Sequence, residues 1–194
     1  TGGSNAVKIC KQALLDEDIT VQTAAVFALG NIGNMDSIEM LSALLWEIDT
    51  LHKETSKSIL KARLKRNIFR SLAVINTNES FNVLSMYFHD ASEQEKLQLI
   101  YSFDILKNPA ANSLIYEYFT KSDLETKLAC IKALGSIGDQ EAIEFLIKIL
   151  NLTDEKISSN DIIALHQEAV YALRSILGSI IAKKNAEQIT AYWT

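Results

Sequence analysis

The amino-acid sequence predicts an all-α solenoid of about five helical repeats. Two copies of the motif Ala-Leu-Gly-x-Ile-Gly stand at 28–33 and 133–138, and three degraded copies stand at 71–75, 102–106 and 172–176. The second residues of the five copies are 43, 31, 31 and 39 positions apart, so a base period of 31 carries insertions of 12 and 8. A period in this range marks supersecondary units that stack on one another.

The composition agrees with a helical chain. One proline and seven glycines in 194 residues leave almost all of the chain free to form helix. No apolar run approaches the roughly 20 residues that a membrane helix needs, so no membrane insertion is expected. The only cysteines, Cys10 and Cys130, are interpreted as buried free thiols in a reducing compartment, which favours a cytoplasmic location. The residues at both ends look like the edges of a piece excised from a larger protein.

Each repeat is predicted to pair an outer helix with an inner helix that ends in the glycine signature. Apolar spacing predicts outer helices near 5–15, 36–49, 79–89, 110–120, 141–150 and 179–191, and inner helices near 19–32, 57–76, 92–107, 123–137 and 161–177. One domain, 1–194, therefore holds repeats at about 5–33, 36–76, 79–107, 110–139 and 141–178, followed by the C-terminal helix at 179–191. Gly138 can end an inner helix in the left-handed conformation, and Asp139 can cap the next helix. The two insertions fall at 50–57 and 151–161, each between an outer helix and its inner partner.

Two segments, 21–33 and 127–139, resemble the HEAT family, specifically the HEAT-like repeats that also occur in phycobilin lyases. The resemblance spans nearly the whole chain. It implies a right-handed α-α superhelix in which the second helix of each repeat lines the concave side. The family includes scaffolds, transport factors and a few enzymes, so the resemblance by itself implies no single activity.

The repeat register predicts which inner-helix residues point away from the core. At 100° per residue the core side holds Val21, Ala25 and Leu29, and the opposite side holds Thr20, Thr23, Phe27 and residue 30. Carrying position 27 through the repeats gives a column of aromatic and basic residues: Phe27, Arg70, Tyr101, Lys132 and Tyr171. Such residues dominate binding hot spots. The aromatic members could equally pack between neighbouring inner helices.

A stripe of arginines lies on the second inner helix. Arg63, Arg66 and Arg70 follow i, i+3, i+7 spacing, and their charges repel unless carboxylates or an external anion lie nearby. Glu95 or Asp104 could serve as an intramolecular partner. Segment 57–70 carries six basic residues and no acidic one, whereas the rest of the chain has a net charge of −11. This acidic remainder argues against the wrapping of nucleic acid.

An enzymatic reading centres on Asp104, which replaces the signature glycine of the third copy. One alkylpurine DNA glycosylase family is built from HEAT-like repeats, and the resemblance therefore implies an alternative in which this carboxylate stabilises charge near Tyr101 and Arg70. The three histidines are isolated in sequence, so neither a metal nor a cofactor is expected.

The sequence thus favours a non-catalytic interaction scaffold that captures an acidic peptide or protein surface along its inner helices. The partner-binding residues would be Phe27, Arg63, Arg66, Arg70, Tyr101, Lys132 and Tyr171. The alternatives are the glycosylase-like enzyme with Asp104 at its centre and a regulatory or spacer domain of a larger protein.

Overall fold

The computed structural model describes residues 2–50, 58–153 and 157–193. Over these residues the chain forms ten α-helices and no β-strand, which confirms the predicted all-α class. In chain order the helices are α1 (Gly2–Ala13), α2 (Ile19–Ile32), α3 (Met35–Thr50), α4 (Ser58–Ile75), α5 (Asn78–Asp90), α6 (Glu93–Leu106), α7 (Asn112–Phe119), α8 (Leu124–Ile137), α9 (Gln140–Leu150) and α10 (Ser159–Trp193). A 3₁₀ turn over Pro109–Ala111 leads into α7.

The chain divides into two compact units, Thr1–Leu106 and Lys107–Thr194. In the first unit the inner helices α2, α4 and α6 pack side by side, and the outer helices α1, α3 and α5 follow one another behind them. In the second unit α8 packs against α7, α9 and α10. Each inner helix contacts the outer helix that precedes it. Three of them, α2, α4 and α8, also contact the outer helix that follows.

The repeat register predicts the buried position of the motif correctly, but it is wrong for Val21, which was expected on the core side and is 36% exposed near the start of α2. Leu29, Leu72, Phe103 and Leu134, the second residues of the first four copies, are all completely buried. The fifth, Leu173, is half-buried. Burial of equivalent residues follows from the 3.6-residue period, because each copy presents the same face to its outer helix.

The inner helices of the complete copies end in left-handed residues, as predicted. Gly33 and Gly138 both have φ of 65°, and the Gly138 amide donates to the Leu134 carbonyl at 2.9 Å. The equivalent positions of the second and third copies hold Asn76 and Lys107, with φ of 54° and 55°. In these two copies the helix ends in the same conformation although the residue is not glycine. Asp139 caps α9, accepting a hydrogen bond from the Ala142 amide at 2.9 Å.

The predicted orientation of residue 30 is wrong. Gly30 does not face away from the protein but is buried, and a Cβ built on it would lie 2.9 Å from the Ser71 Cβ of α4. In the second unit, a Cβ on Gly135 would lie 2.7 Å from the Ala172 Cβ of α10. The third residue of the signature thus marks the closest approach of the next inner helix, which explains why it is glycine in both complete copies.

The fifth copy does not end where the sequence predicts. Separate helices are expected over 161–177 and 179–191, but α10 continues without a break from Ser159 to Trp193. Leu177 occupies the position equivalent to Gly33 and Gly138. A leucine in the left-handed conformation costs about 1–2 kcal/mol, whereas continued helix keeps the backbone hydrogen bonds.

Of the two predicted insertions, residues 51–57 lie outside the described part of the chain. The second insertion lies between α9 and α10, where 154–156 are likewise outside it. No described helix is both long and apolar enough to span a membrane.

Candidate functional site

Two adjoining pockets lie along the first unit between the inner helices α4 and α6. The first has a volume of about 240 Å³ and is lined by Arg66, Asn67, Arg70, Gln98, Tyr101, Ser102 and Ile105. The second has a volume of about 290 Å³ and is lined by Ile59, Ala62, Arg63, Lys65, Arg66, Phe69, Gln94, Glu95 and Gln98. Since the pockets share Arg66 and Gln98, we treat them as one feature, the α4–α6 groove.

The arginine stripe forms one wall of this groove. Arg63, Arg66 and Arg70 are all exposed, and the helical rise places them about 4.5 and 6 Å apart along the axis of α4. None of the three guanidinium groups has an ion pair or a hydrogen bond with any described residue. Glu95, one of the two intramolecular partners that the sequence left open, accepts a hydrogen bond from Lys65 instead. The stripe therefore presents uncompensated positive charge to the groove.

Lys65 stands between two of these arginines in sequence but is neutralised inside the fold. Its Nζ donates to Glu95 Oε1 at 2.6 Å, to the Tyr87 hydroxyl at 2.9 Å and to Asp49 Oδ1. The Tyr87 hydroxyl in turn donates to Asp49 Oδ2 at 2.6 Å. These contacts connect α3, α4, α5 and α6, and the Lys65 side chain is only 12% exposed. We call these four residues the Lys65 cluster.

The pKa shifts within the Lys65 cluster follow from its geometry. Burial disfavours the charge on Lys65, but hydrogen bonds to Asp49 and Glu95 outweigh it and raise the pKa of Lys65 above its ordinary value. Burial likewise works against ionised Glu95, yet hydrogen bonds from Lys65 and Ser92 hold the pKa of Glu95 below its ordinary value. Burial, followed by the hydrogen bond to Asp49, raises the pKa of Tyr87. At neutral pH Lys65 is therefore an ammonium and Glu95 a carboxylate.

The predicted aromatic and basic column is exposed in both units. In the first unit Phe27 and Tyr101 are 41% and 38% exposed, and Arg70 is exposed between them in the repeat order. In the second unit Lys132 is exposed on α8 and Tyr171 is 63% exposed on α10. The structure brings Arg66, Arg70 and Tyr101 together in one pocket, with Arg63 in the adjoining one. Phe27 is not part of either wall.

Asp104 lies on α6, one turn beyond Tyr101, and is half-buried. It does not line the α4–α6 groove, although the sequence predicts it beside Arg70. Its catalytic role stays a prediction. Within the described residues, no three His, Cys, Asp or Glu side chains are grouped so that they could hold a metal ion.

Sequence reasoning missed the amide side chains of the groove. Asn67 and Gln98 occupy equivalent positions 31 residues apart, one residue after Arg66 and Leu97 of the Thr23 column. The first copy holds Ala24 at this position, so the column is not polar in every repeat. Reading every column of the repeat for polar residues, not only the columns opposite the core, would have found the pair.

Two models of repeat families match the chain. Residues 82–166 match the model described as HEAT repeats, and residues 21–45 match that of the PBS lyase HEAT-like repeat. The stretch between the matches, 46–81, contains α4 and its arginines. Among curated proteins, none matches this chain.

Proposed function

The chain belongs to the HEAT-repeat family, and on this premise we propose that it is a non-catalytic interaction module that binds an acidic peptide or protein segment in the α4–α6 groove. The observation that carries the proposal is the set of three exposed guanidinium groups of Arg63, Arg66 and Arg70, which have no charged or hydrogen-bonding partner within the described part of the chain. Like charges at these spacings cost a helix a few tenths of a kcal/mol per pair. A carboxylate of the partner, bound between these arginines, would turn this repulsion into a net attraction.

The chemistry of the groove supports a peptide as the ligand. Guanidinium groups bind carboxylates through paired hydrogen bonds. Tyr101 and Ile105 add apolar area at one end of the groove, and Ile59 adds it at the other. Between Ile59 and Arg70 the helix rises by about 16 Å, which equals the length of about five residues of extended chain. A short acidic segment with apolar residues at its ends would fit this surface.

The other exposed members of the column extend the proposal beyond the groove. Phe27 would provide apolar contact on α2, and in the second unit Lys132 and Tyr171 would provide a charge and an aromatic anchor. The protein partner is expected to be acidic, and nucleic acid is not expected because the chain carries a net charge of −5.

The test is a selection of displayed random peptides on the intact chain, followed by fluorescence anisotropy with the enriched peptides. We expect enrichment of acidic peptides. The double substitution Arg66→Glu and Arg70→Glu should weaken their binding at least about 100-fold, because each change replaces attraction with repulsion.

The matched control is Lys8→Glu with Lys11→Glu, which makes the same charge change at two exposed positions of α1 in the same unit. This variant should bind as the wild type does, and both variants should retain the helical circular dichroism. If both variants weakened peptide binding equally, only the net charge of the protein would matter. If the selection enriched peptides without an acidic bias, the proposal that the α4–α6 groove binds acidic segments would be refuted.

A further inference from the structure

The charge in the groove does not match that of a single carboxylate. Arg63, Arg66 and Arg70 contribute three positive charges that no described residue pairs with. The adjacent Lys65 cluster has one excess negative charge, because its single ammonium contacts both Asp49 and Glu95. The α4–α6 groove is therefore left with a net charge of about +2, and one carboxylate would neutralise only half of it.

The shape of the groove points to one doubly charged group at its centre. Arg66 belongs to both pockets, so it can reach a group seated in either of them. Arg70 lies one turn further along α4 and borders the first pocket, where Asn67 and Gln98 offer amide N–H donors. A guanidinium fork matches two oxygens of a tetrahedral phosphate as well as those of a carboxylate. The volume of about 240 Å³ is enough for a whole side chain and not only an inorganic ion.

We propose that the pocket bounded by Arg66, Arg70 and Gln98 takes a phosphorylated side chain of the bound peptide. This inference rests on the function proposed above and names its ligand more closely. A phosphomonoester carries about −1.5 to −2 charges at neutral pH and presents three acceptor oxygens, which suits the net charge of the groove and its donors. Arg63 then meets a neighbouring acidic residue of the same peptide in the adjoining pocket.

The experiment compares degenerate peptide pools that are identical except for one fixed central residue. The pools hold phosphoserine, phosphotyrosine, glutamate or serine at the centre, with randomised residues on both sides, and binding to the intact chain is measured by anisotropy. At least one phosphorylated pool should bind about tenfold more tightly than the glutamate pool. That preference should shrink between about pH 7 and pH 5, because the second phosphate pKa is near 6.

Two variants connect the preference to the pocket. Arg66→Gln and Arg70→Gln should each remove most of the difference between the phosphorylated and glutamate pools, whereas Lys8→Gln with Lys11→Gln should leave it intact. A larger loss of affinity for the phosphorylated pools than for the glutamate pool, with unchanged helical circular dichroism, is the signature that a merely structural effect would not produce.

Each of the remaining outcomes would contradict the phosphate inference, the acidic-peptide function or both. If the glutamate pool binds as well as both phosphorylated pools, the phosphate inference is wrong and the acidic-peptide function stands. If none of the pools binds, both proposals are wrong. If a single-stranded RNA oligonucleotide binds through Arg66 and Arg70 while the peptide pools do not, the ligand is a phosphodiester backbone and both proposals are again wrong.

Discussion

Because α8 and α10 approach each other closely at one point, we expect opposite effects on stability from the same glycine-to-alanine substitution at two positions. A Cβ on Gly135 would lie 2.7 Å from the Ala172 Cβ and 3.1 Å from its Cα. Ordinary contact between carbon atoms needs about 3.5–4.0 Å, so Gly135→Ala must move the two helices apart by about 1 Å. A Cβ on Gly178, also helical and in the same unit, would meet nothing within 4 Å.

The magnitudes separate into two terms. Replacing a helical glycine by alanine gains about 0.8–1 kcal/mol in both variants through helix propensity. Gly135→Ala additionally carries an overpacking cost of about 1–3 kcal/mol. Gly178→Ala should therefore stabilise the protein, and Gly135→Ala should range from neutral to destabilised by about 2 kcal/mol. Because the propensity gain is common to both, the difference between the variants isolates the packing cost.

The assay is thermal and urea unfolding followed by circular dichroism at the helical band. For a chain of this length, a difference of about 1–3 kcal/mol corresponds to a separation of roughly 2–12 °C in Tm. Adding Ala172→Gly to Gly135→Ala should remove the closer of the two contacts and so part of the cost, and a double-mutant cycle would measure the coupling. If Gly135→Ala stabilised the protein as much as Gly178→Ala does, our explanation of the signature glycine would be refuted.

Three further predictions concern the caps, the Lys65 cluster and the thiols. Lys107→Gly should raise the free energy of unfolding by about 0.5–1 kcal/mol, because it removes the cost of holding a lysine in the left-handed conformation. Asn76→Gly should raise it by less, because asparagine tolerates that conformation better. Urea titrations of the two variants would measure both changes. Because the pKa of Glu95 is lowered, its contribution to stability is fully present above the ordinary value of 4.5 and is lost as the pH falls through and below that value. The wild type should therefore lose more stability than Glu95→Gln as the pH is lowered from about 5 to below 4.5, and parallel losses would contradict the Lys65 cluster. Burial raises the pKa of the Cys130 thiol to about 12. In a Cys10→Ser variant, Cys130 should therefore react with a thiol-specific reagent only after denaturant is added. Rapid reaction of the native protein would show that the thiol is accessible.

The sequence predicted the inner helices well because the same local signal is repeated along the chain. The inner helix α2, expected over 19–32, begins and ends at those residues, and α8 begins one residue later than expected. Leu29 and Leu134 are buried as the register requires. Such agreement arises because the apolar period and the left-handed cap are both properties of a few neighbouring residues.

The misplaced elements share one cause, which is that neighbouring helices decide them. Gly30 looks like a surface position on a helical wheel, but Ser71 of the next inner helix lies against it. The end of α10 was misplaced because Leu177 replaces the left-handed residue of the earlier copies, and the helix continues past it. A helical wheel contains no information about a second helix.

The same division applies to the candidate site. The sequence alone determined the helical repeat, the arginine spacing on α4 and the residues equivalent to Phe27, since each depends only on the order of residues and the helical period. Only the tertiary structure decided which charge is neutralised. Lys65 lies among the arginines in sequence, yet it points into contacts with Asp49 of α3 and Glu95 of α6, whereas Arg66 and Arg70 remain exposed along the groove. Charge pairing depends on distances across helices that are far apart in sequence, and those distances exist only after the helices have packed.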